Sequence, residues 1–296
     1  MVKKLKLLTI VQARLGSARL PGKVIKKYRG LTYLEILIKR LRYSKKIQKI
    51  IVATSQNPED IEIEKICKKL NIFCYRGSNE DVIDRYYKAS KKFNAINVVR
   101  ITADCPLIDP KVIDQVISEY FLRHVSYATN TMPATYPDGL DVEVFSFNSL
   151  QKAWRASRKD KKLREHVTTY IRKNKDLRKY NLLLKNNLSF LRLTLDVPED
   201  LKVINFVLSK FPKNYMFYLK DIIKIYKNNK KIFNTNMEIK RNEGKNLITG
   251  QKVWKRAKKI IKNGSMLFSK NPDLFLPFKW PAYFKKTNGF RIWDLD

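Results

Sequence analysis

The sequence predicts a doubly wound α/β fold, a parallel sheet with helices on both faces, and three observations carry that prediction. Apolar runs of strand length alternate with segments of helical spacing through the first two-thirds of the 296 residues. The early runs are apolar almost throughout, as strands buried on both faces require. Polar clusters sit where the runs end, and in open α/β sheets ligands bind at the carboxyl ends of the strands.

In chain order, LLTIVQA (7–13) reads as a buried strand and YLEILIKRLRYS (33–44) as a helix. KIIVATS (49–55) is a second strand, and the helix over 58–71 opens on Pro58 and two acids, which suit a helix N-terminus. IFCYRGS leads into a helix from about Glu80 to Phe93, NVVRITAD (97–104) is a strand, and Asp109-Pro110 starts the next helix. From about 126 to 147 the rhythm changes: SYATN and DVEVFSF are strand-like, joined by the turn-rich MPATYPDG. Helices are expected near 147–157 and 161–173, strands at YNLLL and LRLTLDV, and helices after Pro198 and near 219–228. The domain is therefore assigned to 1–228, a polar linker to 229–246, and an appendage to 247–296.

Composition limits the function classes. Hydrophobic residues make up 44%, with 15 Phe, 15 Tyr and 4 Trp, enough to build a core and to exclude global disorder. No stretch approaches the roughly 20 apolar residues that a membrane span needs, and the basic opening leads into Gln12 and Arg14 as a first strand, not a signal peptide. Three cysteines without CxxC spacing (Cys67, Cys74, Cys105) fit a reducing cytoplasm. The net charge is +35. Residues 246–296 hold 11 basic and 3 acidic side chains, close to their proportional share, so the charge is spread and reads as solvated, lysine-rich faces. No RNA-binding signature accompanies it, so no specific nucleic-acid partner is expected.

Three motifs carry chemistry. Residues 12–23, QARLGSARLPGK, follow the first strand: Gly16, Ser17 and Gly22 let backbone N–H groups turn toward an anion, and Arg14, Arg19 and Lys23 add phosphate-gripping charge. The loop is neither GxxxxGK[ST] nor GxGxxG. Asp104 ends one apolar strand and Asp196 another, whereas Asp109, Glu199 and Asp200 serve helix starts. Two acids at two strand ends can share one Mg²⁺, a hard ion that takes carboxylate, phosphate and water oxygens. Beside a cationic loop, that set suits nucleotidyl transfer.

Six motifs in order make a resemblance specific: QARLGSARLPGK, RGSNEDVIDRYYKA (76–89), VRITADCPLID (99–109), DGLDVEVFS (138–146), REHVTTYI (164–171) and LTLDVPEDL (193–201). Over about residues 5–225 the chain resembles the cytidylyltransferase family of CMP-KDO and acylneuraminate synthetases, most closely the branch of spore coat polysaccharide biosynthesis protein F. The resemblance implies a three-layer α/β/α nucleotide-diphospho-sugar transferase (GT-A-like) fold with a mostly parallel sheet. It also implies conversion of CTP and a sugar acid to a CMP-sugar and pyrophosphate, with Mg²⁺. On matching positions Arg14, Lys23 and Asp104 are catalytic, and Asp104 and Asp196 hold the metal. Ala13, Arg14, Leu15, Gly16, Ser17, Lys23, Arg76 and Thr102 line the nucleotide, with Asn79 or Asp81 close by. Asp141, Glu143, Arg164 and His166 face the acceptor, Glu143 orienting a sugar hydroxyl, while His124 is structural. Thr102 stands where the KDO-type enzymes carry Gln, so base and sugar recognition are expected to differ. Relatives that dimerise make 126–170 the candidate homodimer interface.

Residues 247–296, with Trp254, Trp280 and Trp293, resemble the start of glutamate-1-semialdehyde aminomutase-like class III aminotransferases, read as the head of a fused or truncated second enzyme. No pyridoxal phosphate chemistry is expected from it. Two rival readings remain at this stage: a GT-A glycosyltransferase, which usually wants a DxD pair that Asp104-Cys105-Pro106 lacks, and a polyanion-binding protein exploiting the charge.

Overall fold

The central strand of the sheet is built from Leu7, Leu8, Ile10 and Val11, each at most 2% exposed, in β1 (Leu5–Gln12). Alternate side chains of this strand enter opposite cores, so both its faces need cover and helices supply it. The computed structural model describes residues 5–17, 19–158, 160–211, 214–239, 241, 257, 284–288 and 291–294.

After β1 come a short hairpin, β2 (Lys27–Tyr28) and β3 (Leu31–Thr32), then α1 (Tyr33–Leu41), β4 (Lys49–Ser55), α2 (Ile61–Lys69) and β5 (Phe73–Gly77). Next are α3 (Val82–Lys92), β6 (Ala95–Thr102), α4 (Pro110–Leu122), β7 (Tyr127–Thr129), β8 (Glu143–Ser146) and α5 (Phe147–Ala156). The unit continues through α6 (Lys161–Glu165), α7 (Thr169–Lys173), β9 (Lys179–Asn181), α8 (Pro198–Ser209), α9 (Leu219–Asn228) and α10 (Lys230–Met237).

Seven strands form one mixed sheet in the order β5-β4-β1-β6-β8-β7-β9, in which β8 alone runs against its neighbours. On one face Leu7, Val11, Val52, Val99 and Ile101 pack with α1, α4, α8, α9 and Phe233 of α10. On the other Leu8, Ile10, Ile51, Ala53 and Val98 pack with α3, α5 and α7 through Ile83, Tyr86, Leu150 and Ile171. This is the α/β class expected, with helices on both sides.

Local signals explain where helices begin. Thr32 and Glu35 form a capping box that starts α1, and Asp109 accepts from the Lys111 N–H at the start of α4, with Pro110 first in the helix. One buried charge had no sequence signal. Arg40 of α1 is fully buried and donates to the carbonyls of Leu107, Ile108, Tyr215 and Phe217, tying the loop after β6 to the segment before α9.

Three expectations change. Residues 191–196 do not join the sheet: Arg192 makes an isolated bridge to Asp138, and the segment spends its backbone bonds on the loops carrying Asp138 and Asp104. The helix expected over 161–173 divides into α6 and α7, because the intervening Thr168 turns inward to bond Glu143. The linker expected over 229–246 contains α10, anchored by Phe233, which is 0% exposed, so the first compact unit runs to Glu238. In the second unit, Ile239–Asp296, the antiparallel hairpin β10 (Phe284–Asn288) and β11 (Arg291–Asp294) is described. The aminotransferase-like reading of 247–296, including Trp254 and Trp280, otherwise lies outside the described residues.

Candidate active site

The loop after β1 is pinned before it reaches the site. The Ala13 N–H donates to the carbonyl of Ala53 in β4, and the Leu15 N–H donates to Asp60 Oδ1 at 2.8 Å. Asp60 is 1% exposed, and its other oxygen accepts from the Thr54 hydroxyl and from the N–H and hydroxyl of Ser55. The loop is thus locked to the end of β4, with Arg14 and Gly16 exposed beyond the lock. The loop then doubles back: the N–H groups of Ser17 and Gly22 both donate to the Leu15 carbonyl, and Gly22 takes a left-handed φ of 64° that glycine adopts without strain. Lys23 follows at once on a 3-10 turn, Lys23–Ile25.

Asp104 comes from the loop after β6, held to the 191–196 segment by two bonds to its carbonyl, from the Leu195 N–H at 2.7 Å and the Thr194 hydroxyl at 3.1 Å. Asp196 ends that segment. The Lys23 ammonium lies between the two acids, 3.0 Å from Asp104 Oδ2 and 2.6 Å from Asp196 Oδ1. Arg19 reaches the other oxygen of Asp196 at 3.1 Å. Two carboxylates 92 positions apart in sequence therefore meet at one cationic atom beside the loop.

The electrostatics follow from that convergence. Burial pulls the Lys23 pKa down, but Asp104 and Asp196 outweigh it and the pKa ends above the usual lysine value. Burial pushes Asp104 up, yet Lys23 and the hydrogen bonds from Thr102, Lys23 and Cys105 hold it well below the usual carboxylate range. Burial, then Asp104 and Asp141, push the Cys105 thiol up, so it is a neutral neighbour and not a thiolate ligand.

The donor set fits a hard divalent cation. Asp104 and Asp196 each bring an oxygen within 3.0 Å of the Lys23 ammonium, so both are oxygen donors close enough together to share a cation. Among the described residues no group of three or more His, Cys, Asp or Glu side chains could hold a metal alone. Such a site suits Mg²⁺ carried by a nucleotide, which binds through one or two carboxylates plus phosphates and water.

The other expected residues divide. Thr102 shares a 3.2 Å contact with Cys105 beside Asp104, and Asp141 lies within electrostatic reach of the same cysteine. Arg76 is tied down: it donates to the carbonyls of Ser55 and Asn57 and faces Glu64, bracing the end of β4. Glu143 is 4% exposed, and its oxygens accept from Arg100, Tyr127 and Thr168. It is a strut across β6, β7 and the α6–α7 junction, not a carboxylate free to orient a sugar hydroxyl. Arg164 pairs with Asp81 at the start of α3 and donates to the Trp154 carbonyl, joining α6 to α3 and α5. His166 is half-buried at the turn between α6 and α7. Asp60 and Arg192 are the supporting residues that sequence reading missed. Neither lies in a matched motif: Asp60 reads as one of two acids opening the helix after Pro58, and Arg192 as a position in an apolar run, while the contacts that matter, Leu15 to Asp60 and Asp138 to Arg192, span 45 and 54 positions.

Comparison with known proteins converges on one family. The profile described as Cytidylyltransferase matches residues 8–239. The uncharacterised protein MJ1063 of Methanocaldococcus jannaschii is 42% identical over 204 residues, 67% of this chain and 82% of that protein. Spore coat polysaccharide biosynthesis protein SpsF of Bacillus subtilis is 34% identical over 211 residues, 69% of this chain and 87% of that protein. The solved structure of a cytidylyltransferase from Leptospira borgpetersenii superposes with a TM-score of 0.74 at 32% identity, covering 77% of this chain and 97% of that one.

Proposed function

The chain belongs to the cytidylyltransferase family, and from that premise we propose that it transfers CMP from CTP to a sugar acid of the KDO or nonulosonic type, releasing pyrophosphate. The observation that carries the reading is the meeting of Asp104 and Asp196 at the Lys23 ammonium, directly after a loop rich in glycine and arginine.

In the reaction, an acceptor hydroxyl oxygen forms a bond to the α-phosphorus, its proton passing to solvent water, as the bond to the pyrophosphate oxygen breaks. Negative charge then grows on the α-phosphate oxygens and on the leaving group. Lys23 has the carboxylate-raised pKa that keeps it an ammonium, so it can stabilise that charge without a proton transfer. Arg14 is exposed at the loop's outer edge, where it can pair with the β- and γ-phosphates. The Asp60 lock presets the backbone of Leu15 and so the path of residues 13–17 under the triphosphate. Asp104 and Asp196 would hold the Mg²⁺, which when bound neutralises phosphate charge as a Lewis acid. Thr102, in contact with Cys105, and Asp141, within electrostatic reach of the same cysteine, are assigned to base and acceptor recognition. No covalent enzyme intermediate is needed.

The test is incubation of the protein with CTP, Mg²⁺ and a panel of acidic sugars, following pyrophosphate. Release with at least one sugar is expected, together with CTP binding. Absence of release with every sugar, and of CTP binding, would overturn the proposal.

A further inference from the structure

Behind Asp196 lies a relay of buried polar groups that ends on α10, outside every motif the sequence singled out. Arg192 is 3% exposed, and its single guanidinium faces three acids: Asp138 at 3.1 Å, Asp196 at 3.4 Å, and Asp200 at 2.9 Å and 3.1 Å. Asp200 is fully buried and also accepts from the N–H groups of Asp196 at 2.7 Å and Val197 at 3.0 Å. Asn236 of α10 closes the relay. Its amide nitrogen donates both to Asp200 Oδ1 at 2.9 Å and to the Arg192 carbonyl at 3.2 Å.

We propose that Asn236 is a positioning residue for nucleotidyl transfer: acting through Asp200 and Arg192, it fixes the backbone and carboxylate of Asp196 where they face Lys23. The inference rests on the reading of Asp196 as a ligand of the metal–nucleotide complex. Asp200 Oδ2 takes Arg192 and two backbone N–H groups, whereas Oδ1 takes Arg192 Nε and Asn236, and a buried carboxylate oxygen with an unfilled lone pair drifts toward whatever donor is near. Asn236 supplies that second donor to Oδ1, and the same amide nitrogen also holds the Arg192 backbone carbonyl. Asp200 can then hold the Asp196 N–H, and Arg192 can hold the Asp196 side chain, in one arrangement. Phe233, one turn earlier on α10 and 0% exposed, docks the helix that presents the amide. A polar stretch that reads as a linker is thereby part of the catalytic unit, because its asparagine is used and not merely solvated. Partners of this kind behind a metal carboxylate tune metal affinity.

The experiment titrates Mn²⁺ into the full chain with CTP present, reading free Mn²⁺ by electron paramagnetic resonance. It compares the unchanged protein with Asn236→Ala and Thr235→Ala. Thr235 is the control on the same helix, exposed and with its hydroxyl donating to the Ile232 carbonyl. For Asn236→Ala the half-saturating Mn²⁺ concentration should rise about 10-fold, while CTP affinity in EDTA stays within about twofold and Thr235→Ala behaves as the unchanged protein. Unaltered Mn²⁺ binding by Asn236→Ala, whatever its thermal stability, would overturn the inference and leave a purely structural helix contact. If Asn236→Ala fails to fold, Asn236→Ser faces the same criteria. Failure of the unchanged protein to bind CTP and Mn²⁺ together is a different result, and it overturns the nucleotidyl-transfer reading itself.

Discussion

Arg40→Met removes a fully buried guanidinium that joins the loop bearing Asp104 to the entry of α9. The carbonyls of Ile108 and Phe217, each 2.9 Å from the guanidinium, lose their donor, as do those of Tyr215 and, at 3.4 Å, Leu107. The ring of Phe217, 3.6 Å from the guanidinium carbon, also loses its stacked cation. Each stranded buried carbonyl costs about 1–3 kcal/mol, against which the substitution relieves the desolvation of a buried charge and keeps most of the apolar stem. The net loss expected is about 3–5 kcal/mol, in the range reserved for broken buried networks. At about 2–4 °C per kcal/mol for a chain of this size, the melting temperature should fall by roughly 6–20 °C. Circular dichroism during heating and in urea measures it, with Arg40→Lys as the comparison, since a point charge can satisfy only part of a four-carbonyl cage. A fall of less than about 2 °C would refute the assignment of Arg40 as the clamp on the Asp104 loop.

Gly139 has φ +104°, and a Cβ there would lie 2.5 Å from the backbone of Leu193, so Gly139→Ala must push the 191–196 segment away; a loss of more than about 2 kcal/mol in urea unfolding is expected, with turnover falling further than stability alone explains. Burial pushes Glu143 up, but Arg100, Tyr127 and Thr168 outweigh it and leave its pKa below 4.5, the ordinary glutamate value. Its stabilisation is therefore complete above pH 4.5 and is lost as pH falls through the lower folded value, so the stability gap between the unchanged protein and Glu143→Gln should be widest near neutrality and narrow progressively below pH 4.5. Asp60→Ala frees the Leu15 N–H and three β4 donors, the Thr54 hydroxyl and the N–H and hydroxyl of Ser55; KM for CTP should rise by about tenfold or more as the loop loses its preset path, and an unchanged KM in steady-state assays would remove Asp60 from that role.

The sheet and its layers were legible because apolar runs and helical spacing are local properties of the chain. The capping residues Thr32 and Asp109 act within three positions, and Asp109 was read correctly for that reason. Asp104 and Asp196 were legible as acids ending apolar runs, although the run before Asp196 is an extended strap and not a sheet strand. What stayed hidden is the pairing of distant charges. Glu143 and Arg164 lie in matched motifs and look available in sequence, yet Arg100, 43 positions before Glu143, and Asp81, 83 positions before Arg164, occupy them. Arg40 and Asn236 were hidden for the opposite reason: a basic residue in an amphipathic helix and an asparagine in a polar stretch give no sign that backbone carbonyls or a buried carboxylate wait for them.

The decisive measurement is the anomalous scattering of Mn²⁺ in crystals of the protein grown with CTP. A single peak within coordinating distance of Asp104, Asp196 and the nucleotide phosphates, with the triphosphate lying along residues 13–23, is the predicted result. A peak remote from both carboxylates, or a nucleotide bound away from that loop, would contradict it.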